Sequence, residues 1–368
     1  MSAGLAGVAL GTWRVLDGVD AGMLFVNNLD CADAERLFGG IKRSGYGRQL
    51  GQMGIQEFVK RSSSAAATSL RRSKHKGNPM NKQTTPSESS NPPVWLITGC
   101  STGFGLELAK QAIERGYRTV VTARDLAKLP GDMASDQVLV LQLDVTQPEQ
   151  VAAAVKATEA RFGGIDVLVN NAGIGYFAAI EEGDAAEVRK MFDVNVFGLT
   201  AMVQAVLPGM RRRRRGCIVN LSSLAGVRGM PALGQYNATK FAVEGLSEAL
   251  RREVEPLGIQ VMVVNPSGFR TDWAGRSANE SAHPIADYSA TAGKVRLAVR
   301  ASSGKQPGDP VRGVKAIVEA VASGKLPHHL LLGNDAFEGA MAKVDELRKD
   351  FSAGEAVARG ADFPSAIA

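Results

Sequence analysis

Three residue types that can run carbonyl–alcohol chemistry stand close together in this sequence. The apolar run CIVNLSS (217–223) ends at Ser223, Tyr236 follows thirteen residues on, and Lys240 four after that. A helix starting near 235 would put Tyr236 and Lys240 on one face. A tyrosine hydroxyl titrates near ~10 and is a poor acid–base group at neutral pH. A lysine ammonium beside it favours the phenolate and brings its pKa toward the working range. Ser223 would hydrogen-bond the substrate oxygen and hold it in place. A Tyr-x-x-x-Lys pair by itself is common in amphipathic helices. Its weight here comes from the serine at a strand end and from a glycine loop far upstream.

That loop is Thr98-Gly99-Cys100-Ser101-Thr102-Gly103-Phe104-Gly105, entered from the strand VWLIT (94–98) and leading into a helix. Gly99 permits a tight turn, Gly103 lets backbone approach a pyrophosphate, and Gly105 lets the helix pack close to the sheet. The helix N-terminus supplies free N–H groups and a positive dipole end for phosphates. The next strand, RTVVTA (118–123), ends at Ala123-Arg124. Sites specific for NAD usually carry a carboxylate there. Arg124 could instead hold a 2′-phosphate bidentately, which favours NADP(H) over NAD(H); the alternative is that Arg124 is a plain surface residue and Asp125 does the selecting. Asp144, after VLVLQLD (138–144), sits where a carboxylate could accept from the adenine amino group.

The elements that must position these residues alternate from Val94 onward. Strands are predicted at 94–98, 118–123, 138–144, 165–171, 217–223, 259–265 and 328–333, and helices at 103–115, 148–162, 188–213, 235–256, 311–322 and 335–350. Short, continuously apolar strands separated by helices predict an α/β domain of the Rossmann type, a doubly wound parallel sheet with helices on both faces. It should span 93–368. Residues 62–92, SSSAAATSLRRSKHKGNPMNKQTTPSESSNPP, are polar and aperiodic and read as a flexible linker.

Composition narrows the function classes. With 45% apolar and 22% charged residues, the chain can bury a sizeable core and wholesale disorder is excluded. The net charge of +6 is concentrated in Arg211–Arg215 and in the cluster Arg71, Arg72, Lys74 and Lys76. No aromatics interleave with the arginines, so the run reads as a helix end that suits the macrodipole and not as a nucleic-acid site. Three scattered cysteines form neither a disulfide framework nor a metal site, and the four histidines lack ligand spacing, so no metal is expected. The thiols fit a reducing, cytoplasmic setting. The N-terminus lacks the basic region of a signal peptide, and no membrane span is expected.

Residues 93 to about 350 resemble the short-chain dehydrogenase/reductase family. Its cofactor loop is matched by Gly99, Gly103 and Gly105, with Ser101 and Phe104 between them, and its NNAG motif by Asn170-Asn171-Ala172-Gly173. Asn195 falls on the family's fourth catalytic position, where an asparagine holds a water in the proton relay behind the lysine; Ser223, Tyr236 and Lys240 fall on the other three. Pro266-Ser267-Gly268 with Thr271 resembles the nicotinamide carboxamide segment, with Ser267 where glycine is more usual. The resemblance implies hydride transfer between NADP(H) and a carbonyl or alcohol. Tyr236 would act as acid–base and Lys240 would hold the nicotinamide ribose. A substrate lid is implied around 269–300, where Trp273, Ile285, Tyr288, Val295 and Leu297 suggest a medium-sized apolar substrate. A homodimer or homotetramer through helices 188–213 and 235–256 is also implied. The alternative from another class is a regulatory protein that senses NADPH without turnover; such proteins usually lose the tyrosine or the lysine.

Residues 16–61 resemble the C-terminal tail of aldehyde dehydrogenases, through AGMLFVNN (21–28), Phe38-Gly39-Gly40-Ile41-Lys42-Arg43-Ser44-Gly45-Tyr46-Gly47-Arg48 and GIQEFV (54–59). That family's nucleophile and general base lie upstream of this tail and have no counterpart here. Segment 1–61 is therefore read as a non-catalytic remnant or fusion, with Met80 an ordinary start for the reductase.

Overall fold

The computed structural model describes residues 91–131, 133–275 and 277–363, together with the backbone of three short strands nearer the N-terminus. The chain divides into two compact units, Met1–Thr85 and Pro86–Ala368. In the first, Ala3–Leu5, Leu24–Val26 and Ser64–Ala66 form a parallel three-stranded sheet. The last of these falls inside the segment read as linker; the aldehyde dehydrogenase-like motif at 38–48 lies outside the described residues.

In the second unit the strands are β1 (Val94–Ile97), β2 (Arg118–Ala123), β3 (Val138–Gln142), β4 (Val167–Asn170), β5 (Gly175–Phe177), β6 (Gly216–Leu221), β7 (Ile259–Pro266), β8 (Ala278–Glu280) and β9 (His329–Leu332). The helices are α1 (Gly103–Glu114), α2 (Pro148–Phe162), α3 (Ala185–Phe192), α4 (Leu199–Arg213), α5 (Gly234–Val254), α6 (Lys294–Ala301), α7 (Pro310–Ala322), α8 (Asn334–Ala353) and α9 (Glu355–Gly360). Seven strands form one parallel sheet in the order β9-β7-β6-β4-β1-β2-β3. The order reverses between β1 and β4, and a crevice opens at such a switch point beyond the strands' C-terminal ends.

The central strands feed two cores, because successive side chains point to opposite faces. Val94, Leu96, Val120, Leu168, Ile218 and Val261 pack on one face with residues of α2, α4 and α5. Trp95, Ile97, Val121, Val169, Val219 and Met262 pack on the other with Leu108 and Ala112 of α1 and Val314, Ile317 and Val318 of α7. Burial on both faces explains why the strands read as unbroken apolar runs.

The predicted helix 188–213 is α3 and α4 joined through a π-helical turn at Asp193–Gly198. By length and composition the stretch 185–213 would pass as a membrane span, against the expectation of none, yet half of its most apolar window is buried in this fold. Met202 and Met210 are fully enclosed there. The arginine run closes α4 against its neighbours. Arg213 donates to the Ile165 carbonyl at 2.6 Å and Arg214 to the Pro256 carbonyl at 2.7 Å, while Arg215 pairs with Asp166 at 3.6 Å.

Candidate active site

The glycine loop is knitted to the segment after β4. The Thr98 hydroxyl accepts from the N–H groups of Asn171 and Ala172, each at 3.0 Å. The Asn171 amide donates back to the carbonyls of Thr98 and Gly99, each at 2.9 Å. Gly99 and Gly103 hold φ of +72° and +57°, the left-handed region that favours glycine. A Cβ on Gly105 would fall on the Gly99 carbonyl oxygen and the Asn171 amide nitrogen. Helix α1 starts with no side-chain cap and no acidic residue in its first turn, and Thr102, Gly103 and Phe104 at that end line the crevice. Asn170 looks away from the loop, donating to Asn220 of β6, which donates to Ser247 of α5.

At the end of β2, Arg124 is exposed on the crevice rim, and Lys128 lines the same wall. Asp125 lines the cleft beside them; it caps the turn Leu126–Lys128 by accepting from the Ala127 N–H at 3.1 Å, and it pairs with Lys128 at 3.6 Å. Asp144 lines the crevice and accepts from the N–H and hydroxyl of Thr146.

The reacting end is built by β6, β7 and α5. Ser223 accepts from the Ala225 N–H at 3.1 Å and donates to the Pro266 carbonyl at 3.3 Å. Tyr236 is buried beside it, its ring 4.8 Å from that of Trp273. Lys240 Nζ lies 5.7 Å from the Tyr236 ring centre and donates to the Leu221 carbonyl at 2.7 Å. Burial pulls the Lys240 ammonium down to about 8, opposed by the charge of Glu244. Burial pushes the Tyr236 hydroxyl up, and the Ser223 side chain draws it partly back. This net direction is opposite to the lowering expected from Lys240, because desolvation outweighs the opposing contact.

Asn195 sits in the π-helical turn, its side chain clamped to the neighbouring loop. Its oxygen accepts from the Ile174 N–H and its amide donates to the Ile174 carbonyl, both at 2.9 Å, and to the Thr239 hydroxyl at 3.2 Å. The side chain thus braces the wall beside Lys240. The segment after β7 is fixed through the Ser267 N–H to the Leu332 carbonyl at 3.0 Å. The unusual Ser267 is accommodated at Gly333, whose φ is +94° and whose Cβ would fall on the serine hydroxyl. Thr271 packs over Gly103.

All predicted catalytic and cofactor residues except Asn195 and Gly105 line one cleft of about 810 Å³. Sequence reasoning missed Lys128, Ile174, Met230, Leu233, Val299 and Gln306 on its walls. Of the five apolar lid residues named from sequence, only Trp273 reaches the cleft. Leu297 is largely exposed, and the Tyr288 hydroxyl donates to Glu181 at 2.6 Å. Arg300 fastens the segment after β7, donating to the carbonyls of Ala274, Gly275 and Ala278 and stacking on Phe177. No cluster of metal-ligating side chains occurs among the described residues.

A strand-to-helix glycine loop with an open helix end and glycines whose Cβ atoms would collide fits a dinucleotide, and the cleft carries it to Ser223 and Tyr236. Residues 93–282 match the family model of short chain dehydrogenases, and the chain belongs to that family. Residues 4–63 match the model of the aldehyde dehydrogenase family. The oxidoreductase BOA17 of Botryotinia fuckeliana is 37% identical over 250 residues, covering 67% of this chain and 91% of that protein. A short-chain dehydrogenase from Streptomyces avermitilis has a solved structure with TM-score 0.69 and 38% identity, covering 74% of this chain and 100% of that one. Two more distant solved structures hold cofactor. One, from Burkholderia phymatum, is in complex with NAD (25% identity, TM-score 0.61, 71% and 95% coverage). The other, an alcohol dehydrogenase from Thermococcus sibiricus, is complexed with 5-hydroxy-NADP (26%, 0.53, 66% and 96%). The chain is an oxidoreductase of alcohol and carbonyl groups that uses a nicotinamide cofactor.

Proposed function

We propose that the protein is an NADP(H)-dependent carbonyl reductase for medium-sized apolar ketones or aldehydes, with Tyr236 as proton donor. The observation that carries this reading is the meeting of Ser223, Tyr236 and Lys240 at one end of a cleft whose other end is the glycine loop. The nicotinamide, when bound, supplies the hydride. Ser223 directs its hydroxyl at the carbonyl oxygen, and Tyr236 donates a proton to the same oxygen. A phenol that burial keeps protonated suits reduction. Lys240 holds positive charge beside the phenolate left after transfer.

Arg124 and Lys128 on one wall support a preference for the 2′-phosphate; Asp125 lines the same cleft, and its turn cap and its pairing with Lys128 weigh against it as the selector. Ile174, Met230, Leu233, Trp273 and Val299 give the substrate end an apolar surface. Phe197, Phe241 and Leu246 are exposed on the two helices expected to pair subunits, which favours a homo-oligomer. Cys100 and Cys217 are free, buried thiols, in keeping with a cytoplasmic home. Segment 1–61 carries no part of this chemistry. Turnover of NADPH by the full chain against a panel of apolar aldehydes and ketones tests the reading. Tight NADPH binding with no turnover on any of them would favour the sensing alternative.

A further inference from the structure

Behind the catalytic lysine lies a carboxylate that does not line the cleft. Tyr236, Lys240 and Glu244 follow at steps of four along α5, so the three share one helix face. The Glu244 side chain is 15% exposed, which is uncommon for a carboxylate without strong partners. Its Oε1 accepts from the Asn265 amide at 2.5 Å. The same amide donates to the Ser223 carbonyl at 3.2 Å. On the outer side, Oε2 faces Nδ1 of His329, 3.4 Å away on edge strand β9, and that histidine is half exposed. The corner holding Ser222 and Ser223 packs directly on it: a Cβ on Gly226 would meet both the Ser222 hydroxyl and Glu244 Oε1.

We propose that Glu244 is a positioning residue of the active site: through Asn265 it holds the Ser223 carbonyl, and its carboxylate supplies the negative charge that keeps Lys240 an ammonium. This deepens the proposed function and rests on it. Burial raises the Glu244 carboxyl above the ordinary range, and the groups facing it hold that rise back and favour the carboxylate: Ser222 beyond β6, Asn265 on β7, His329 on β9 and Lys240 on its own helix. Those facing Lys240 are Tyr236 and Glu244 on α5, the Leu221 carbonyl, and Asn195 across Gly173. Among these, Glu244 is the one carboxylate. Burial brings Lys240 to about 8, within reach of working pH, so losing the charge of Glu244 would leave a substantial share of it neutral.

The test reads Lys240 directly and needs neither substrate nor cofactor. The full chain is exposed to trace acetic anhydride across a pH series, and acetylation of Lys240 is quantified by peptide mass spectrometry. The wild-type midpoint should fall near 8. In Glu244→Gln it should drop by about one pH unit, the size typical of a nearby opposite charge. Glu244→Asp keeps the charge and should stay close to wild type. His329→Lys leaves α5 and the cleft intact but sets a permanent cation against Glu244, and should lower the midpoint in the same direction. An unmoved midpoint in folded Glu244→Gln, or an equal drop in Glu244→Asp, overturns the proposal. If Glu244→Gln does not fold, His329→Lys decides alone, and no shift there overturns it. Turnover does not enter the readout, so failure of the catalytic reading would show separately, as activity that survives Tyr236→Phe.

Discussion

Replacing Arg124 with aspartate should erase the proposed preference for NADPH. Arg124 is exposed at the end of β2 and lines the cleft beside Lys128, and Asp125 is held in a turn cap. A guanidinium bonding a phosphate contributes about 1.5–3 kcal/mol, and exposure on the rim favours the lower half of that range. A loss of about 2 kcal/mol corresponds to roughly 30-fold in Kd. Charge reversal adds repulsion toward the 2′-phosphate. NADPH binding should therefore weaken by about 30-fold or more, with NADH binding little changed. Lys128→Ala should cost less, about threefold to tenfold, because Lys128 is a point charge already paired with Asp125. Titration of nicotinamide fluorescence with each cofactor reads both constants, and raising the salt should narrow the wild-type preference. If Arg124→Asp weakens NADPH and NADH equally, the arginine does not read the phosphate and the preference must be assigned elsewhere.

Three other outcomes follow from the geometry. Gly105→Ala puts a methyl group on the Gly99 carbonyl and the Asn171 amide; it should cost about 1–3 kcal/mol in urea unfolding and weaken cofactor binding in fluorescence titration. Lys240→Met should abolish turnover yet stabilise the fold at pH 7 by up to about 2–3 kcal/mol, after the lost bond to the Leu221 carbonyl is subtracted. The sign follows from linkage: burial lowers the lysine from 10.5 to about 8, so below pH 8 the folded state carries the full cost of a buried ammonium, and the cost fades between pH 8 and 10.5. The variant's advantage should accordingly shrink when unfolding is repeated near the upper end of that window. Arg300→Ala removes three carbonyl contacts and a stacking partner from the lid, and should raise KM severalfold and speed proteolysis within 272–293, with cofactor Kd unchanged.

Much of the fold was legible because its strands are buried on both faces and therefore read as apolar runs with helices between them. VWLIT, CIVNLSS and IQVMVVN are β1, β6 and β7 within a residue or two. The glycine loop was legible because the tight approaches at Gly99, Gly103 and Gly105 exclude side chains. Other features left no local signal. The β5–β8 pair joins three-residue strands about a hundred positions apart, too short to show a period. The π-helical turn, in which Asn195 bonds Ile174 21 positions away, has no marker in the local residue pattern. Composition marked Ile285, Tyr288, Val295 and Leu297 as apolar, but none of the four lines the cleft; their stretch is fastened to the 181–182 corner by the Ile285 N–H and Arg296 to Glu182 and the Tyr288 hydroxyl to Glu181, long-range contacts with no local signal. Nothing local in the sequence marks Glu244, whose contacts come from β7 and β9 packing against it.

The central claim is that Tyr236 exchanges the proton with the substrate oxygen while Ser223 directs it. The measurement that tests it most directly is pre-steady-state NADPH oxidation by the full chain and by Tyr236→Phe, on the best carbonyl substrate from the panel. The account predicts a fall in the rate of hydride transfer of about 10²–10⁴-fold, the usual contribution of a positioned acid–base group, with NADPH Kd within about threefold of wild type. A variant that still transfers hydride at close to the wild-type rate would contradict the account and move the proton source to another group on the cleft wall.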